Sequence, residues 1–174
     1  MKSLVSFLLF LTAFIGSYAQ SKVPSADEVL LPVYAQAGRE SKKVLLIFHA
    51  SWCGWCRKMD SSLQDRDVKP LIDHSYITTH LTVYESPGNK AIENPGALEL
   101  LTKHGGADQG LPYWIILDKD GKLLADAQYK PGKNSGCPAN EEEVAHFIQV
   151  LKKTSSLNDA QLKVIAKRFR MNDQ

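Results

Sequence analysis

Cysteine is scarce in this chain. Its 174 residues carry three, of which Cys53 and Cys56 stand three apart and Cys137 lies far downstream. A chain that used cysteine for extracytoplasmic scaffolding would show an even set at scattered spacings, so this is not a disulfide framework. There is no second Cys-x-x-Cys pair and no His-x-His cluster, which disfavours a structural zinc site. Charge of one sign is also lacking: 21 Lys and Arg face 19 Asp and Glu, for a formal net charge of +2. That balance argues against nucleic acid or an acidic surface as the main partner. Basic residues gather only near the end, at Lys163, Lys167, Arg168 and Arg170, and a solvated helix face accounts for them. No nicotinamide or flavin motif, internal repeat or low-complexity tract is present.

One long apolar run exists, Leu4 to Ile15, interrupted only by Ser6 and Thr12. Lys2 precedes it, and Gly16-Ser17-Tyr18-Ala19 places small residues at the two positions a signal peptidase reads. This is the pattern of a secretory signal over residues 1–19, too short to span a bilayer comfortably as an uncleaved anchor. No cysteine follows the run until Cys53, which disfavours lipid attachment. The mature chain is expected to begin near Gln20, as one domain over residues 20–174 with room for a real core and no stable membrane span. The expected location is periplasmic or extracellular.

Ser25-Ala26-Asp27-Glu28 has the form of a capping box, and an amphipathic helix is expected from there to about Glu40, perturbed by Pro32. Val44 to Phe48 is a continuous apolar run, which predicts a strand buried on both faces. The cysteine pair follows, and Arg57 to Leu63 reads as helix. A short helical piece over Asp67 to His74 and a strand over Tyr76 to Tyr84 come next. Glu85 to Gly96 is rich in turn formers and reads as a surface loop. A helix from Gly96 to Lys103 and a strand from Pro112 to Leu117 lead to the turn Asp118-Lys119-Asp120-Gly121. An antiparallel strand over Lys122 to Ala125 follows that turn. Tyr129 to Asn140, with Cys137, reads as an irregular insertion. Two final helices are expected, one opened by Glu141-Glu142-Glu143 and burying Val144, Phe147, Ile148 and Leu151. The other runs from Asn158 to about Met171 and buries Leu162, Ile165, Ala166 and Phe169. The class is α/β, a central mixed sheet flanked by helices with an extra helix at the C-terminal end.

A thiol exchanges with a disulfide only as thiolate, so an attacking cysteine needs its pKa lowered from about 8.5. Cys53 lies where a buried strand gives way to a helix, whose first N–H groups stabilise an anion, and Arg57 and Lys58 add positive charge. Cys56, one turn further on, is placed to resolve a mixed disulfide. Gly54 allows a tight turn between the sulfurs, and Trp52 and Trp55 offer flat apolar surface for a peptide. Copper held by Cys53, Cys56 and His49, with Met59 as a fourth candidate, is the competing use of the same soft ligands. A permanent structural disulfide is disfavoured, because so small a loop constrains little of the unfolded chain. Cys137 has no neighbouring base, which favours a passive or inter-chain role over a catalytic one.

The segment Phe48-His49-Ala50-Ser51-Trp52-Cys53-Gly54-Trp55-Cys56-Arg57-Lys58-Met59 resembles the active-site segment of the thioredoxin superfamily. Its flavour is that of exported thioredoxin-like proteins and the C-terminal domains of periplasmic disulfide reductases. Gly110-Leu111-Pro112, immediately before an apolar strand, is the second landmark; a proline merely opening a strand is the plainer reading. The resemblance covers about Val44 to Ala125. It implies a single thioredoxin-like domain and a cis proline at Pro112, facing the cysteines across the site. Leu111 and Pro112 would hold a substrate chain. It implies an exported thiol–disulfide oxidoreductase acting on protein or small-molecule disulfides and thiols through Cys53 and Cys56. No cofactor beyond that cysteine pair and no metal is expected, and an external redox partner must recycle the pair. Two positions depart from the family. The acid often buried six residues before the first cysteine is Ile47, and the proline often found between the cysteines is Trp55. The direction of reaction is therefore open.

Overall fold

The computed structural model describes residues 22–173, so the signal expected over residues 1–19 lies outside the described residues. The first helix, α1 (Ala26–Glu40), starts where the capping box places it. Ser25 Oγ accepts from the Glu28 N–H at 3.2 Å, and the Glu28 carboxylate accepts from the Ser25 N–H at 2.7 Å. Those two bonds satisfy N–H groups that a helix start otherwise leaves bare. The helix runs on through Pro32, which has no backbone N–H to give it.

The sheet that follows positions the site. Strand β1 (Lys43–His49) pairs in parallel with β2 (Tyr76–Thr82) and antiparallel with β3 (Tyr113–Leu117). Strand β4 (Leu123–Asp126) pairs antiparallel with β3, giving the order β2-β1-β3-β4. As continuous apolar runs predict for central strands, Val44 to Phe48 and all of β3 are buried. The turn before β4 is built by Asp118, whose carboxylate accepts the N–H groups of Asp120 and Lys122, each at 2.9 Å. Gly121 takes a φ of +79°, which a side chain would resist.

The helix after the cysteines, α2 (Gly54–Leu63), and the short α3 (Lys69–Ser75) lead into β2, and α4 (Ala97–Lys103) precedes β3. Helices α5 (Glu141–Thr154) and α6 (Asp159–Arg170) close the fold, each opened by a capping box, at Asn140 and Asn158. Trp114 of β3, Phe147 of α5 and Phe169 of α6 stack in series, with ring centroids 5.2 and 4.9 Å apart. Burying rings of this size supplies about 1.5–3 kcal/mol each, and their tilted geometry adds to it.

Four expectations are corrected. Tyr129 to Asn140 is not irregular throughout: β5 (Gln128–Lys130) and β6 (Lys133–Asn134) form a small hairpin there. Glu85 to Gly96 contains a 3-10 turn over Pro87–Ile92, and Glu85 itself is buried rather than a surface residue. Ile148 and Ala166 lie at the edge of the core and are only partly buried. The basic residues of α6 are not all solvated, since Arg168 pairs with Asp65 at 3.2 Å and Arg170 donates to the Ala139 carbonyl at 2.6 Å.

Candidate functional site

Strand β1 ends at His49, and the chain turns over four residues into α2, so the cysteine pair sits at the sheet's C-terminal edge. Cys53 is the N-cap of α2, with extended backbone at φ −73° and ψ 104°. Its sulfur accepts from the Cys56 N–H at 3.1 Å, in the place where a serine or aspartate oxygen would stand. The two sulfurs are joined, at 2.04 Å with the α-carbons 5.3 Å apart. Both cysteines are buried, at 3% and 2% exposure, so in this oxidised form Cys53 is no more open than Cys56. The helix-terminal N–H that meets the sulfur supplies the stabilisation an emerging thiolate needs.

The two charged neighbours of the pair are held by backbone carbonyls. Arg57 donates to the Ser51 carbonyl at 3.1 Å and so ties the loop before Cys53 to the helix. The Lys58 ammonium donates to the Asn172 carbonyl at 3.0 Å and lies 4.5 Å from the centre of the Trp55 ring. Gly54 is the first residue of α2 with no positive φ, and an added β-carbon would meet only the Arg57 guanidinium at 3.8 Å. The chain does turn tightly between the sulfurs, but as the first turn of α2, a conformation that does not require glycine at position 54.

Trp52 and Trp55, each directly preceding a cysteine of the pair, stand out at 57% and 49% exposure as flat apolar surfaces. Trp52 is oriented by its indole N–H, which donates to the Tyr84 carbonyl at 2.9 Å. The Leu111–Pro112 peptide bond is cis, and Leu111 packs with Ala50, Cys53 and Cys56 in one small apolar cluster. Six of the residues singled out in the sequence are thereby brought around one disulfide: Trp52, Cys53, Trp55, Cys56, Leu111 and Pro112. A cleft of about 400 Å³ opens beside them, walled by Trp55, Gly110, Leu111, Asn134 and Asp173.

Two supporting residues have no signature in the sequence. Glu85 reaches the cysteine loop from beyond β2, accepting from the Ser51 N–H at 2.5 Å and the Ser51 hydroxyl at 2.7 Å. The Ser51 N–H, chiefly, holds the Glu85 carboxyl below the usual carboxylate range. Asn134, from the hairpin, donates its amide to the carbonyls of Gln109, Gly110 and Pro112 at 3.1, 3.2 and 3.0 Å. Both loops that meet at the disulfide are thus held by single side chains. The only available signal was that Tyr129 to Asn140 and Glu85 to Gly96 are long for a minimal thioredoxin domain.

Cys137 is buried and its sulfur accepts from the Asn172 amide at 3.3 Å. Burial pushes its thiol up to about 12, so it stays protonated and inert at neutral pH. Its burial fits the passive role and leaves no sulfur exposed for an inter-chain bond. Among the described residues, no group of three or more His, Cys, Asp and Glu is placed to hold a metal ion. Met59, the fourth candidate copper ligand, is fully enclosed in the main core.

A disulfide capping a helix, after a strand buried on both faces and beside a cis X-Pro bond that opens the next strand, defines a thioredoxin-type site for thiol–disulfide exchange. A thioredoxin-like domain matches residues 33–133, more than half of the chain, and the chain belongs to that family. It is a thiol–disulfide oxidoreductase by fold and by its cysteine pair. No curated protein matches the chain. Among solved structures it is similar to a disulphide isomerase from Xylella fastidiosa Temecula1, at 22% identity and a TM-score of 0.50 over 83% of this chain and 88% of that one. It is similar to a DsbH oxidoreductase at 22% identity and a TM-score of 0.47, covering 74% and 82% of the two chains. The oxidised C-terminal domain of Neisseria meningitidis DsbD gives 19% identity and 0.44, covering 72% and 91%. At these identities the likeness is one of fold.

Proposed function

We propose that the chain is an exported oxidoreductase that exchanges disulfides with protein or small-thiol partners through Cys53 and Cys56. The observation that carries the reading is the Cys53 sulfur at the N-cap of α2, receiving the Cys56 N–H. In the reducing direction the Cys53 thiolate attacks a substrate disulfide, forming a mixed disulfide and expelling one substrate thiolate. Cys56, deprotonated, then attacks the Cys53 sulfur, which releases the second substrate thiolate and restores the Cys53–Cys56 bond. The oxidising direction is the reverse. A substrate strand would lie against Leu111 and Pro112 with its side chains on Trp52 and Trp55. A separate thiol or disulfide partner would then recycle the pair. Export rests on the apolar leader at residues 4–15 and its small-residue exit, and no helix among the described residues is long and apolar enough to cross a membrane.

The competing reading is a copper-binding chaperone on the same cysteines, and one experiment separates the two. Insulin or glutathione disulfide turnover is measured for the wild type and Cys53→Ser, beside a Cu(I) titration of the reduced protein. Turnover lost in the variant supports exchange. No turnover with tight stoichiometric copper binding would overturn it.

A further inference from the structure

The exchange just proposed needs Cys56 to lose a proton while buried, and burial alone pushes a thiol pKa up. The family's acid would help from position 47, but that residue is Ile47, 1% exposed. The face it occupies is nonetheless polar at its neighbours. Ile47 pairs with His80 in the parallel β1–β2 register, so the two side chains share one face of the sheet. His49, two residues on, shares that face as well. Helix α2 covers the same face with Asp60, one turn beyond Cys56 and on the same side of the helix.

These groups are in contact. His80 Nε2 and Asp60 Oδ1 are 2.8 Å apart, and since a carboxylate only accepts, the imidazole nitrogen carries the hydrogen. The His49 and His80 rings lie 5.0 Å apart, and His49 Nε2 is 3.2 Å from Thr82 Oγ1. The side chains of His80 and Asp60 are 32% and 40% exposed, so water reaches the pair. Around His49 stand His80 from β2, Asp60 from α2 and Glu85 from the loop after β2. Burial, and then the His80 charge, hold His49 below the usual imidazole range against the pull of the two acids.

We propose that the Asp60–His80 pair, backed by His49, receives the proton of Cys56 during resolution and stands in for the acid missing at Ile47. This rests on the exchange reading above. The Cys56 thiol gives its proton, through water, to His80, and Asp60 stabilises the imidazolium formed. The Cys56 thiolate attacks the Cys53 sulfur, the Cys53–Cys56 bond forms, and the Cys53–substrate bond breaks. The departing substrate thiolate takes the proton back from His80, so protons and electrons balance with no further reactant.

The test is single-turnover reduction of a peptide disulfide by the reduced protein, from about pH 5.5 to about pH 9. Wild type, Asp60→Asn and His80→Gln are compared, with mass spectrometry of acid-quenched samples. Both variants should resolve at least about ten-fold more slowly near pH 6.5, and the deficit should narrow toward pH 9, where hydroxide competes as the proton acceptor. The mixed disulfide on Cys53 should accumulate in them at the lower pH. Variants whose rates parallel wild type across the range, with no accumulated adduct, overturn the relay. Asp60→Asn decides the matter should His80→Gln fail to fold. A wild type with no turnover at any pH overturns the exchange reading itself, whereas turnover with unaltered profiles overturns the relay alone.

Discussion

Replacing Glu85 offers a sharp test of how the cysteine loop is held. In Glu85→Ala the Ser51 N–H and hydroxyl both lose their acceptor at a site only 3% exposed. Hydrogen bonds to a charged group are worth about 1.5–3 kcal/mol each, and two on one carboxylate do not add fully, so a loss of about 3 kcal/mol is expected. For a chain of this length that corresponds to a fall in Tm of about 6–12 °C. Glu85→Gln keeps the shape and one acceptor, and should lose about half as much. The pH dependence follows from the direction of the shift. The folded-state pKa of Glu85 lies below its ordinary value of 4.5, so its stabilisation is complete above that value and is lost as pH falls through the folded one. Urea unfolding of the oxidised protein at about pH 7, 5 and 3 reads this out. The gap between wild type and Glu85→Gln should hold from pH 7 to 5 and close toward pH 3. A Tm change under about 2 °C for Glu85→Ala, or a gap that widens on acidification, would refute the reasoning.

Asn134→Ala frees three carbonyls of the loop that ends at Pro112, and should lower kcat/KM for disulfide exchange about ten-fold while costing about 1–2 kcal/mol, as insulin reduction and urea unfolding would show. Cys137, with its thiol near 12, is on the order of one part in ten thousand ionised at pH 8. Iodoacetamide should therefore label the reduced native protein at the Cys53–Cys56 pair, Cys53 first, and reach Cys137 only in denaturant. Phe147→Ala removes the centre of the Trp114–Phe147–Phe169 stack and should cost about 3–5 kcal/mol by urea unfolding, leaving the exchange chemistry of the surviving folded protein intact.

The parts of the fold that were legible in the sequence are those written locally. Val44 to Phe48 is apolar throughout because β1 is covered on both faces, and the capping box at Ser25 closes within four residues. Cys53 and Cys56 announce their helix start for the same reason. What could not be read depends on distant approach. Glu85 meets Ser51 across 34 positions, Asn134 meets Pro112 across 22, and Asn172 meets Cys137 across 35. Nothing in the local pattern around any of them marks the partner. The hairpin β5–β6 was missed because its strands are three and two residues long, below the length at which alternation is visible. The partners of the two cations were likewise out of reach of the local pattern: Arg57 donates to Ser51, while Lys58 donates to Asn172, 114 positions away, and lies over Trp55.

The central claim is that Cys53 attacks and Cys56 resolves. Trapping with Cys56→Ser tests it most directly, since a mixed disulfide that cannot be resolved persists and its partner can be identified by mass spectrometry. The reduced variant, offered a peptide disulfide, should form a stable adduct through Cys53, and the additional Cys53→Ser change should abolish it. An adduct on Cys137, or none on either cysteine while the protein stays folded, would contradict the account.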